Sequence, residues 1–344
     1  MSKQKQDELT VLSGIAISFV IIIHACASCL GYLFPGKEYS DTDIFLRTLY
    51  NFVISAVPIF VFISGIKFAI HDTATPYLLL LKKRLPRVLM SFFIINTFFW
   101  AIDSFIWIKE FSPILLCKTY ISSWLGNTVA YPLWYIPMYC CVIIICPLLY
   151  KVISSSWIRF SLYLIIGLMQ HLLASFFPIL DKYPFVFVSY FIFFELGIIV
   201  YKYRFLLSHK KSQNIIYVFL YVILVTILSI FPNSDSFFWS SYVRYILFGL
   251  GGTLVYYIVA LSLKKNKLLI FLGQNSYPLF LLHEPVIGRF CGKLLSKFGI
   301  AHSFVFVPLW FIGTLIFTLL LIKFFCHIKI DSLLWKFSLM KKSS

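Results

Sequence analysis

Two histidines set in long apolar runs are the side chains of this sequence best suited to chemistry. His24 lies in a run that opens at Leu9, and His283 in one that opens at Leu268. An unperturbed imidazole titrates near neutral pH, so a neutral ring can accept a hydroxyl proton and return it within one turnover. Ser and Cys side chains near His24 offer hydroxyls and thiols, but nearness along one helix does not single out a nucleophile. His24 also fits a neutral ring bonded to a neighbouring helix, and both readings stand at this stage. Glu284 follows His283 directly, with Pro278 and Pro285 around the pair, a pattern that predicts a broken helix whose freed carbonyls line a cavity. The other reading of His283 is an interfacial histidine. His171 has no acidic neighbour and is read as packing.

A second constellation is Lys82-Lys83-Arg84-Leu85-Pro86-Arg87. Pro86 suits the first turn of a helix, and Arg84 and Arg87, three apart, share one side of it. The expected helix start aims free N–H groups and a positive dipole where four cations stand, which suits phosphates. The plainer reading is a charged anchor at the membrane surface. Ser64-Gly65 allows close helix approach, Pro58 can kink its run, and Lys67 reaches headgroups or joins the basic cluster. Trp134, Tyr135 and Tyr139 after Pro132 fit an interfacial aromatic belt and also a sugar-stacking surface. Glu195 and Arg244 are possible counter-charges. Gly249-x-Gly251-Gly252 lacks the Lys-Ser/Thr of a phosphate loop and reads as helix packing. Cys26-x-x-Cys29 beside His24 has the form of a redox or metal pair, but no second ligand pair accompanies it, so packing is expected and no metal or bound cofactor. Cys117 and Cys291 fall in loops where a disulfide is conceivable.

The elements that carry these residues follow from composition. Of 344 residues 60% are hydrophobic and 12% charged, including 38 Phe and 21 Tyr, too few charges to cover an aqueous surface. The bilayer is the matching solvent, which excludes a secreted enzyme, a cytosolic domain and, despite a net charge of +17, a nucleic-acid partner. A spanning helix needs about 20 apolar residues. The chain divides into about ten such runs, at 9–33, 49–70, 88–108, 132–151, 157–178, 185–201, 214–231, 242–262, 268–290 and 303–327. With the N-terminus in the cytoplasm, 19 Lys and Arg fall inside and 7 outside, so the expectation is an all-α integral membrane protein with both termini cytoplasmic. Acidic residues gather outside, at Glu38, Asp41, Asp43, Glu110, Asp181 and Asp235. Residues 1–344 read as one polytopic domain, within which 328–344 form a basic amphipathic tail on the inner leaflet. A signal peptide cleaved after Ala27 competes with the first span, but the apolar run reaches Phe34, longer than an h-region. No matching interrupted spans mark two transporter-like halves. His24 and His283 each lie 15 residues beyond the start of an inside-to-outside run, which puts both rings at one depth, about 22 Å from the inner face.

The order of these pieces resembles the membrane-bound acyltransferase family 3, which includes bacterial O-acetyltransferases of surface polysaccharides. Leu12-Ser13-Gly14-Ile15-Ala16 through Ile23-His24-Ala25 is similar to its opening helix. Val57-Pro58-Ile59-Phe60-Val61-Phe62-Ile63-Ser64-Gly65 resembles its Phe-rich Ser-Gly segment, and Arg84-Leu85-Pro86-Arg87 its Arg-x-x-Arg motif. Leu133-Trp134-Tyr135-Ile136-Pro137 resembles its Trp-aromatic segment, and Asn275-Ser276-Tyr277-Pro278-Leu279-Phe280-Leu281-Leu282-His283 its late Ser-Tyr segment ending in His. Ser13 departs from the arginine usual there, and Lys67, Lys83 or Arg84 are the candidates for the missing charge. The resemblance implies transfer of an acyl group, most often acetyl, from cytoplasmic acyl-coenzyme A to a hydroxyl of a cell-surface or lipid-linked glycan, in the cytoplasmic (inner) membrane. It implies His24 for proton transfer or transient acyl carriage, and Arg84 and Arg87, with Lys83 and Lys67, for the donor. His283, Glu284, Trp134, Tyr135 and Ser276 would serve the acceptor side. A stand-alone transferase is expected, without the extracytoplasmic hydrolase-like domain of some members. Acetyl-coenzyme A would be a co-substrate, and lipid and glycan the partners. Succinyl transfer and a glycan flippase or exporter are the alternatives.

Overall fold

The computed structural model describes residues 3–33, 44–102, 104–105, 112–124, 131–177, 184–209, 211–230, 241–300 and 305–329. Fourteen α-helices and no strands occur among them. In chain order they are α1 (Lys3–Leu33), α2 (Ile44–Val53), α3 (Ala56–His71), α4 (Tyr77–Ala101), α5 (Pro113–Trp124), α6 (Tyr135–Val152) and α7 (Ser156–Phe176). There follow α8 (Phe191–His209), α9 (Lys211–Ile230), α10 (Ser241–Ser262), α11 (Lys267–Gln274), α12 (Ser276–Leu282), α13 (Gly288–Lys297) and α14 (Phe306–His327). Among the described residues five stretches have the length and hydropathy to cross a bilayer: Asp7–Cys29, Ile44–His71, Pro132–Val152, Ser156–Leu173 and Phe306–His327. Asn214–Ile230 and Ile246–Ser262 are apolar but shorter. The expected external acidic residues and the tail from 330 onward lie outside the described residues, as do the side chains of Arg244 and Pro285.

The run at 268–290 is not one helix. It is divided at Asn275, between α11 and α12, and again after His283, where Glu284 is extended (φ −129°, ψ 155°) and a π-turn leads into α13. Pro278 and Pro285 signal breakage, but the first break falls at Asn275, whose side-chain amide donates to the Phe271 carbonyl at 2.9 Å. The run at 49–70 also departs from a continuous helix. Its turn is at residues 54–55, and Pro58 sits in the first turn of α3, where its missing N–H removes no helical bond.

Two compact units divide the chain, Met1–Ile63 with Ile199–Thr318, and Ser64–Ile198 with Leu319–Ser344. In the first, α1 packs on α2, α10, α11, α12 and α13. The crossing of α1 with α11 is backbone against backbone: a Cβ on Gly14 would lie 2.1 Å from the Leu269 carbonyl oxygen, and one on Gly273 1.8 Å from that of Thr10. Gly252 of α10 is pressed instead against side chains, the Tyr221 hydroxyl and Ser55, a packing role.

In the second unit Gly65 of α3 lies against the Phe194 carbonyl of α8, where a Cβ would come within 2.0 Å. Helices α4 and α5 are joined by a polar ladder, with Asn96 donating to Ser123 at 2.7 Å, Thr97 bonded to Tyr120 at 3.0 Å and the Trp100 indole donating to Thr119 at 3.1 Å. The partner of Glu195 is Arg159, 36 positions earlier, in place of the Arg244 pairing considered above. Arg159 Nε donates to one carboxylate oxygen at 2.8 Å and Nη2 to the other at 2.7 Å. Its remaining N–H groups go to the carbonyls of Ile153 and Ser154 and to the Ser156 hydroxyl. The guanidinium stands 4.6 Å from the centre of the Tyr150 ring. Both side chains are 1% exposed, so this charge pair is sealed with all five guanidinium donors used.

Two outcomes follow. Glu195→Gln leaves the Arg159 charge uncompensated and should cost about 3–5 kcal/mol, whereas the double exchange Arg159→Met with Glu195→Leu should recover most of it; thermal unfolding of the detergent-solubilised variants measures both. Gly273→Ala must separate two backbones and should destabilise by about 1–3 kcal/mol in the same measurement, with Gly299→Ala as an exposed comparison that meets no neighbouring atom but carries the strain of φ +72°.

Candidate active site

His24 is the eleventh residue after Ser13 on α1 and the tenth after Gly14. His283 is the tenth after Gly273. Since α1 touches α11 at both glycines, ten residues lead from that crossing to each ring, about 15 Å of helical rise along α1 and a path broken at Asn275 on the other side. The two rings meet, with centroids 5.2 Å apart and planes at 52°. Their common level is reached through the break at Asn275 rather than along one spanning helix.

His283 is fully buried, and His24 is half-buried. The Nδ1 of His283 lies 3.1 Å from the Leu279 carbonyl oxygen and 2.9 Å from that of Phe280. Cβ bonds on a helix tilt toward its N-terminus, so a ring at the last turn of α12 reaches back to these two carbonyls. Phe280 also flanks the imidazole, ring centres 6.2 Å apart. Glu284, beyond the end of α12, turns to Gly288: a Cβ there would meet its Oε1 at 2.4 Å and the Trp310 ring at 2.8 Å. Trp310 of α14 is fully buried, and it stands in no sequence motif that would have singled it out. Ser276 opens α12 and is half-buried. Ser13, where the resembled family usually carries arginine, is 8% exposed and returns its hydroxyl to the Leu9 carbonyl at 2.9 Å. Cys26 and Cys29 are buried thiols, and neither they nor Cys117 and Cys291 stand in a disulfide.

The basic constellation belongs to the second unit, and its setting differs from the expected one. Helix α4 begins at Tyr77, so Pro86 is internal and Arg84 and Arg87 lie on the second and third turns, away from the free N–H groups of the helix start. What the side chains have instead is an anion of the protein's own. Arg84 Nη2 is hydrogen-bonded to Asp72, and Lys83 Nζ stands 3.8 Å from the other carboxylate oxygen. Asp72 is 5% exposed, Arg84 17% and Lys83 55%, so the acid is the buried member and the cations form the accessible edge. Asp72 also accepts from the Thr75 amide at 3.1 Å through its carbonyl, which holds the turn between α3 and α4. Arg87 is half-buried, and Lys67 is exposed.

The aromatic segment is in the same unit. Trp134 stacks on Phe187 (centroids 6.2 Å, planes at 18°) and packs against Tyr190 at 5.5 Å. Tyr135 stacks on Tyr139 at 5.5 Å, and the Tyr139 hydroxyl is bonded to Ser64 at 3.0 Å. These rings are committed to one another, which ties the Ser-Gly segment of α3 to α6.

The arrangement therefore holds a deep pair of imidazoles in an apolar surround and, in the other unit, guanidinium and ammonium groups at an accessible edge. The first suits proton transfer, and the second suits anion binding. Comparison with known proteins gives one match: the family described as acyltransferase domain, Acyl_transf_3, fits residues 6–338. No curated protein and no solved structure matches the chain. A match over nearly the whole chain, on a set of apolar helices, makes this protein a membrane member of acyltransferase family 3.

Proposed function

We propose that the protein is an O-acyltransferase of the cytoplasmic membrane that moves an acyl group, acetyl in the first place, from cytoplasmic acyl-coenzyme A to a hydroxyl of a cell-surface or lipid-linked glycan. The observation that carries this reading is the contact of His24 with His283, ring centres 5.2 Å apart, in a chain of the acyltransferase family. In the proposed topology about ten segments enter the membrane and both termini are cytoplasmic, in keeping with the excess of Lys and Arg on that side.

Arg84 and Arg87, helped by Lys83 and Lys67, bind the donor's phosphates. Arginine suits this work because its planar fork meets two oxygens at once. Asp72 holds the Arg84 fork in place before the donor arrives, and a donor phosphate competes with it for the same N–H groups. His24 acts in proton transfer or transient acyl carriage. His283, Glu284 and Ser276 serve the acceptor in the same unit, and Trp134 and Tyr135 are assigned to the acceptor as well.

The test is incubation of the purified protein, reconstituted in lipid, with radiolabelled acetyl-coenzyme A and candidate glycans. A base-labile ester on the glycan is the expected product. His24→Ala should abolish it while the protein stays folded and inserted, and normal product from that variant would remove His24 from the reaction. Arg84→Ala should raise the KM for the donor about tenfold or more with kcat retained at saturation, since one charge-assisted bond to phosphate is lost. An unchanged donor KM would detach Arg84 from donor binding.

A further inference from the structure

The protonation of His283 can be read from its neighbours. Both groups beside Nδ1, the carbonyls of Leu279 and Phe280, only accept hydrogen bonds. Nδ1 therefore carries the hydrogen, and in the neutral ring Nε2 holds the lone pair. That Nε2 is buried and has no hydrogen-bond partner in a residue with no exposed surface. Burying an acceptor without a donor works against folding, and native interiors largely avoid it. A histidine serving only to tie the end of α12 would need Nδ1 alone, and an asparagine could do that.

Resting on the acyl-transfer reading above, we propose that His283 is the general base of the reaction, its Nε2 accepting the proton of the acceptor hydroxyl. The step balances as follows. The hydroxyl proton passes to Nε2, the hydroxyl oxygen bonds to the thioester carbonyl carbon, and the carbon–sulfur bond breaks. The departing thiolate takes the proton from the imidazolium, so that an ester and a thiol leave and the neutral ring with Nδ1–H is restored. The two carbonyls on Nδ1 fix the tautomer, orient the ring and stabilise the transient positive charge, the part that a third group plays in a nucleophile–base–orienter array. His24, 5.2 Å away, cannot comfortably hold a second positive charge at the same moment, so a single proton is handled by the pair and it is received at His283. In this direct transfer the acyl group does not rest on His24, whose part narrows to positioning the thioester.

Two variants and an added base test this. His283→Asn keeps a side-chain N–H to donate to Leu279 and Phe280 and removes Nε2. It should lower kcat for acetyl transfer about 10²- to 10⁴-fold, with the donor KM and the apparent Tm near those of the parent protein. His283→Ala should be inactive and regain measurable transfer on addition of imidazole, whereas His283→Asn should not. Transfer by His283→Asn at the parental rate would overturn the assignment, and so would a folded His283→Ala protein that imidazole leaves inactive. Parental protein that forms no ester from acetyl-coenzyme A would instead overturn the acyl-transfer reading on which the assignment stands.

Discussion

The backbone crossing of α1 and α11 is the constraint on which the candidate catalytic pair depends. Helix backbones normally stand 8–10 Å apart because side chains intervene. Here Gly14 and Gly273 each press against a carbonyl of the other helix, closer than any Cβ would allow. Contact of this kind fixes the relative height of two elements to within a fraction of a turn. The same number of residues then leads from each glycine to each histidine. A shift of one residue would rotate a ring by about 100° and lift it by about 1.5 Å, enough to part the imidazoles. The crossing thus acts on the site from ten residues away, without contact with either ring.

Buried charge is handled by a second rule, seen in the other unit. Arg159 and Glu195 are sealed together, with every guanidinium donor used, and such a pair has little left to offer a ligand. Asp72 and Arg84 form a pair of different kind. The acid is buried, the arginine is partly accessible, and a lysine completes the edge. Both pairs join opposite charges, but only the second leaves cationic surface that an incoming phosphate can reach. The distinction between a structural and a recognising arginine is one of exposure and spare donors, not of residue type.

How far this was legible in the sequence depends on whether a feature is local. The membrane class follows from composition. The nearness of His24 and His283 agrees with a count that took 268–290 as unbroken, but the chain reaches it by another path, divided at Asn275. Pro278 and Pro285 announced a break near His283 and correctly so, but Asn275 carries no proline to mark the division it makes. Pro86 misled, because proline is also tolerated inside a helix when its surroundings absorb the lost N–H, and α4 starts nine residues earlier. Asp72 with Arg84 and Arg159 with Glu195 are 12 and 36 positions apart, spacings that no helical periodicity relates. Pairings of that kind arise only when helices pack. Trp134 was readable as aromatic and interfacial, yet its stacking on Phe187 depends on a segment 53 positions later.

Among the described residues it is backbone carbonyls, not a carboxylate, that meet His283 Nδ1, and this has a physical logic. In an aqueous enzyme a buried aspartate commonly orients the catalytic imidazole, at the cost of a standing negative charge. Deep in an apolar helix assembly such a charge is expensive, whereas a backbone carbonyl offers the same hydrogen-bond geometry as a neutral dipole. Two carbonyls from the preceding turn of α12 supply it here. Glu284, the nearest acid in sequence, is turned aside by the extended backbone that follows His283 and rests over Gly288 beside Trp310. A side chain at 288 would claim the position of that carboxyl.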